Sequence, residues 1–173
     1  TALSTAQISV LATSVLSNLN TVQTTALTSS QVKALSSNSF TNLTTSQLQA
    51  LTTTQLQSVD IEDLNALSTT QVRLLTTTQV QSLSATQVAG LSTTALSSMT
   101  TLQVSNLKDT QVRALSADQV SSLTTTQLNK MGTAQLAAMS TDDIVALSSA
   151  QVGALSTEQI SKLSLAHVQA LEA

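Results

Sequence analysis

A leucine returns every eight residues along this chain, and the frame never slips. Counted from Leu3, the first position of each unit is Leu except at Val59, Met99, Met131 and Met139. Twenty-one complete octads fill residues 3–170. Position 6 is apolar in 20 of 21 octads, as at Ile8, Val32 and Leu48, and Thr24 is the exception. Position 5 is Gln in 15 of 21, and position 2 is Ser, Thr, Asn or Asp in 18 of 21, with Ala12, Lys108 and Gly132 outside the pattern. Position 3 is mostly Thr and position 8 mostly small, so the unit reads Leu-Ser/Thr-Thr-x-Gln-Val-x-Ala. Self-similarity at a fixed period marks an array whose units bury their apolar residues only against one another.

One continuous helix does not fit this period. Eight residues at about 100° each overshoot two turns by roughly 80°, so the apolar stripe would circle the helix within a few units. Runs such as Thr52-Thr53-Thr54 and Thr76-Thr77-Thr78 also oppose a long helix, because β-branched side chains lose χ1 freedom there. A short helix in every octad fits well. Ser or Thr followed three residues later by Gln is a capping box, with position 2 as N-cap and position 5 as N3. Positions 1 and 6 then become N′ and N4, the two members of the hydrophobic staple. The pattern predicts helices of about six residues, from position 3 to position 8, joined by extended residues at positions 1 and 2. Helices this short stand only by packing. The leading leucine, the apolar sixth residue and the small eighth residue are the expected contact columns. The expected fold is all-α, a solenoid or superhelix of one short capped helix per octad, forming a single array over residues 1–173. A β-solenoid is the alternative, since Thr and Val favour strands. Against it, positions 1 and 6 differ by an odd step and cannot share one face of a straight strand.

Composition narrows the function classes. Of 173 residues, 41% are apolar and 9% charged, with six Lys+Arg against nine Asp+Glu. The cations Lys33, Arg73, Lys108, Arg113, Lys130 and Lys162 are scattered singly, and Phe40 is the sole aromatic. A basic stripe and stacking platforms for bases are therefore lacking, and no nucleic acid partner is expected. No apolar run reaches the roughly 18 residues of a membrane span, so no membrane insertion is expected. The chain opens on Thr1 rather than Met, and we read it as a fragment of a longer protein.

The same pattern leaves little for chemistry. There is no Cys. His167 occupies a Gln slot, where a capping or solvent-facing role is expected. Asp60, Glu62 and Asp63 form the densest acidic group; Asp60 and Asp63 stand at the cap and box positions of their octad, where the helix dipole favours acid. Asp142 and Asp143 read the same way, and Asn42-Leu43-Thr44 is a chance-level match to a glycosylation acceptor. No catalytic, cofactor-binding or metal residues are assigned, no cofactor is expected, and the chain is read as no enzyme.

Units such as Leu75-Thr76-Thr77-Thr78-Gln79-Val80-Gln81-Ser82 resemble the octapeptide arrays of very large bacterial secreted or surface, adhesin-like proteins. The resemblance covers the whole chain. It implies a spacer or stalk that is extracellular or at the cell surface, with neighbouring repeats or domains of the same protein as its partners. A shorter similarity, in Leu-Thr-x-x-Gln-Val, is to the start of a TAL-effector repeat, but a period of eight does not make that two-helix unit.

The expected function is thus a non-enzymatic structural repeat module, a semi-rigid spacer. Alternatives are a regular Thr array facing an ordered surface such as ice or polysaccharide, and a protein-binding solenoid. The apolar ends of the array lack polar capping units and are expected to favour end-to-end self-association. Leu11–Asn18, without cap or Gln, and Leu19–Ala26, with Thr24 in the core column, are expected weak points.

Overall fold

Each octad starts a helix at its third residue because the second residue turns the chain and caps it. Thr76 shows the device: at φ −70°, ψ 157° it is extended, its hydroxyl accepts the Gln79 N–H at 3.1 Å, and its own N–H donates to Gln79 Oε1 at 2.9 Å. One orphan donor is satisfied from each side. The helix ends where the next leading residue becomes extended, as at Leu83 (φ −57°, ψ 139°). No positive φ is needed for this exit, and none occurs among the described residues.

The computed structural model describes residues 3–171. Among them every element is helical, no strand is present, and the helices fall into two compact units, Thr1–Leu83 and Ser84–Ala173. The first unit contains α1 (Thr5–Ser9), α2 (Thr13–Leu16), α3 (Thr21–Thr25), α4 (Ser29–Lys33), α5 (Ser37–Thr41), α6 (Thr45–Ala50), α7 (Thr53–Gln57), α8 (Ile61–Ala66), α9 (Thr69–Leu74) and α10 (Thr77–Ser82). The second contains α11 (Ala85–Ala89), α12 (Thr93–Ser98), α13 (Thr101–Ser105), α14 (Asp109–Val112), α15 (Ala117–Ser121), α16 (Thr125–Lys130), α17 (Thr133–Ala138), α18 (Thr141–Val145), α19 (Ser149–Gly153), α20 (Thr157–Ser161) and α21 (Leu165–Leu171). One helix per octad, in the expected frame, is what forms.

Stacking follows one rule inside each unit. Every helix packs on the helix three octads later: α1 on α4, α2 on α5 and α3 on α6 in the first, α11 on α14, α12 on α15 and α13 on α16 in the second. Three octads therefore make one coil, and each unit is an all-α solenoid. The leading column and the sixth column fill the core, with Leu48, Leu56, Leu96 and Leu128 fully buried beneath Leu51, Val59, Met99 and Met131. Burying a side chain of this size stabilises by about 1.5–3 kcal/mol.

The eighth column differs from expectation. Most of its residues are half-buried, and Ala138 is the buried one among the described residues. The third core column is instead the fifth position, occupied by glutamine: Gln47, Gln103 and Gln111 are 1%, 2% and 1% exposed. Thr24, the polar residue in the sixth column, is also buried, and its hydroxyl donates to the Asn20 carbonyl at 3.0 Å within α3. That bond is why a hydroxyl is tolerated there.

These burials predict a graded mutational series. Leu128→Ala, at a fully buried site, should lower the unfolding free energy by roughly 2–5 kcal/mol. Thr124→Ala, which removes one cap, should cost about 1 kcal/mol. Leu102→Ala, at a site 62% exposed, should stay within about 0.5 kcal/mol of the parent. Chemical denaturation of the three variants checks the order.

Candidate functional site

Among the described residues, buried polar side chains gather in the glutamine column. A Gln side chain carries one carbonyl acceptor and two amide donors. In a typical octad all three are used. The Oε1 of Gln127 accepts the Thr124 N–H at 2.7 Å, closing the capping box of α16. Its Nε2 points the other way and donates to the carbonyls of Leu96 (3.3 Å), Ser97 (3.1 Å) and Met99 (2.8 Å) in the preceding coil. Those carbonyls lie 31, 30 and 28 residues back. They are the last acceptors of α12 and of the link after it, where so short a helix supplies few partners; Leu96 accepts the Met99 N–H at 3.1 Å besides the amide.

The geometry recurs in both units. Gln47 donates to Leu16 and Leu19 at 2.7 and 2.8 Å, and Gln79 to Leu48 and Leu51 at 2.9 Å each. In the second unit Gln119 reaches Val88 and Leu91, Gln135 reaches Val104 and Leu107, and Gln159 reaches Leu128 and Met131. Each amide thus caps the N-terminus of its own helix and the C-terminus of a helix in the coil before. Gln7 and Gln23 keep the box but stand exposed, with no coil before them among the described residues. Lys108 and Gly132 supply no side-chain cap, yet their N–H groups still donate to Gln111 and Gln135 Oε1 at 2.8 Å.

A second, outer set of amides joins adjacent coils. The position-7 side chains of Gln49, Gln57 and Asn129 donate to the Leu74, Ser82 and Ala154 carbonyls, each 25 residues ahead, at 2.8–2.9 Å.

The residues singled out as candidates for chemistry fall into this framework. His167 is 6% exposed, not solvent-facing. Its Nε2 lies 3.1 Å from the Met139 carbonyl, 28 residues back, in the place of the Gln amide, and its Nδ1 is buried without a partner. Asp143 keeps the box, accepting the Ser140 N–H at 2.8 Å, but a carboxylate has nothing to donate to the coil before. Asp60 occupies the N-cap of α8 without making the cap bond, so the expected cap there does not form. It pairs instead with Lys33 Nζ at 3.1 Å. Both side chains are more than half exposed, which holds such a pair to about 0–1 kcal/mol. Glu62 is exposed in the first turn of α8, and Asp63 is buried in its Gln slot. Asn42 is exposed and donates to the Asn38 carbonyl. Among the described residues no three His, Cys, Asp or Glu side chains are placed to share a metal ion, and no helix is long and apolar enough to cross a membrane. Sequence reasoning identified the Oε1 half of the glutamine and missed the Nε2 half, for which the only signal was that position 5 is Gln far more often than the equally good cap partner Glu.

Replacing the amide tests its two-ended role. Gln127→Leu should cost about 1–3 kcal/mol by leaving carbonyls and one N–H unsatisfied. Gln127→Glu should cost more at neutral pH, because it also buries a charge facing acceptors. Burial raises a carboxyl above its unfolded value near 4.3, so this penalty is present at neutral pH and fades as pH falls and the acid gains a proton to donate. Thermal melts of both variants at pH 7 and pH 4 check the prediction.

No curated protein gives a match to the chain. The family model of the ALTTAQ repeat matches residues 58–93, 121–148 and 128–173, together just over half of the chain. The phrase corresponds to positions 8, 1, 2, 3, 4 and 5 of the octad, as in Ala66-Leu67-Ser68-Thr69-Thr70-Gln71, and so contains the leading leucine, the cap and the bridging glutamine. On this match the chain belongs to the ALTTAQ repeat family.

Proposed function

We propose that the array is a non-enzymatic spacer or stalk module within a large bacterial secreted or surface protein, working outside the cell or at its surface. The observation that carries the reading is the identical stitch from coil to coil: the donors of Gln47, Gln79, Gln119 and Gln159 engage carbonyls 31 and 28 residues back with nearly the same geometry. A unit that bonds the same way to each neighbour can be repeated to any length, and stability then grows with unit number. The resemblance of the octads to surface-protein arrays supports the placement.

End-to-end contact with a second copy is part of this proposal. In the first coil Gln7 and Gln23 are exposed beside Leu3. In the last, Ile160 and Val168 are 41% and 38% exposed, and Leu147, Val152 and Leu171 line an apolar hollow. The exposed Leu3 at one end and open apolar surface at the other favour head-to-tail pairing.

A second reading is binding to an ordered surface such as ice or polysaccharide. It is favoured by the exposed Thr53 and Thr54 of α7 and the exposed Thr78 of α10, on helices that stack directly. Small-angle scattering on arrays of increasing octad number distinguishes the readings. For a spacer the maximum dimension should rise linearly with octad count, and thermal hysteresis and glycan binding should be absent. A dimension that saturates would contradict the spacer, and hysteresis or glycan binding would favour the second reading.

A further inference from the structure

The three-octad coil gives unit Thr1–Leu83 three columns of stacked helices. Two of them are uniform. The seven helices α1, α3, α4, α6, α7, α9 and α10 all carry a complete capping box. The third column is α2, α5 and α8, which stack on one another and carry none. Their position-5 residues are Val15, Ser39 and Asp63, 24 residues apart. Irregular octads that look scattered along the chain are therefore gathered into one column.

The defect in this column is chemical as well as positional. The Val15 side chain has no polar atom and is half exposed. Ser39 is buried, but its hydroxyl accepts from Ser36 Oγ within its own octad and is too short to reach another coil. Asp63 is 7% exposed, its side chain has no hydrogen-bond partner among the described residues, and a carboxylate offers acceptors where the carbonyls need a donor. The carbonyls that glutamine amides would meet here are those of Ile8 and Leu11 before Ser39, and of Val32 and Leu35 before Asp63. They receive no side-chain amide. The C-terminal ends of α2 and α5 still receive amides, from Gln47 at Leu16 and from Gln71 at Thr41. The bonds are missing on the N-terminal side of α5 and α8, where the buried Leu16, Phe40 and Leu64 leave apolar contact, with the chain's sole aromatic next to the small Ser39. Such contact is non-directional and is lost as soon as the helices part.

We infer that the N-terminal side of the column α2–α5–α8, where it faces the ends of α1 and α4, is a built-in seam, the place at which unit Thr1–Leu83 opens first while the remaining glutamine stitches hold. Local opening free energies differ between contiguous parts of a structure, and the parts with fewest internal bonds open most readily. The second unit has a comparable column, α12–α15–α18–α21, where Ala95, Asp143 and His167 replace Gln, but the bridging Gln119 of α15 interrupts it and His167 keeps a ring nitrogen on the Met139 carbonyl. The seam does not depend on the spacer reading.

Amide hydrogen exchange on the 173-residue chain tests the seam, resolved helix by helix by mass spectrometry. The amides of α5 and α8 should exchange about tenfold faster than those of their sequence neighbours α4, α6, α7 and α9, as two missing donor bonds per slot imply. This alternation cannot come from fraying, which would fall steadily from the chain end. Asp63→Gln, which restores donor and box together, should slow α8 by about tenfold. Asp63→Leu, which removes the charge without supplying N–H, should slow it less. The inference is overturned if exchange is even across the unit, if it follows a smooth gradient from the chain end, or if Asp63→Leu protects as well as Asp63→Gln.

Discussion

The buried glutamine amide is the interaction on which this architecture rests. A helix of five residues is nearly all terminus: its first amides and last carbonyls lack intrahelical partners, and together they outnumber the bonds inside it. Such a helix in water is unstable, and packing it dry would strand its polar groups. Gln79 resolves both ends with one side chain, accepting the Thr76 N–H and donating to the Leu48 and Leu51 carbonyls. The coil spacing must therefore suit the length of a glutamine. At Asp143, a carboxylate that is one methylene shorter and has no N–H, the near bond stays and the far one is lost.

This requirement explains why so polar a chain has a buried core within each unit. Leucine and valine at positions 1 and 6 provide the apolar burial, and the amide between them makes burial of helix ends tolerable. Where the amide is replaced, the substitutes show what matters. His167 retains a ring nitrogen against the Met139 carbonyl 28 residues back. Ser39 and Asp63 retain nothing across the coil, and Phe40 supplies apolar contact instead. Polar side chains here are occupied with the backbone, while the outward positions carry short hydroxyls, amides and sparse charge.

Much of the local structure was readable in advance. The N-cap, the box and the staple all span five residues or fewer, so each octad displays them whole. Helix starts at position 3 and extended residues at positions 1 and 2 followed from that. Position 5 was harder. Glutamine looks like a helix-end residue facing water, and only a partner 28 or 31 residues away justifies its burial. At position 8 a small side chain suits close approach, yet most of that column is half-buried and the buried third column lies at position 5. Asp60 looked like a cap, and its carboxylate went to Lys33 instead.

Sequence alone determined one capped helix per octad, its frame, and the inward direction of the leucine and its partner five residues later, because those features depend on contacts within a single unit. Tertiary structure decided that three octads make a coil, that each amide grips the coil before it, and that Val15, Ser39 and Asp63 share one column. The number of units per coil follows from the rotation at each link, about a third of a turn per octad, set by how whole side chains interlock. No residue encodes that rotation singly, so it emerges only when the coils are packed.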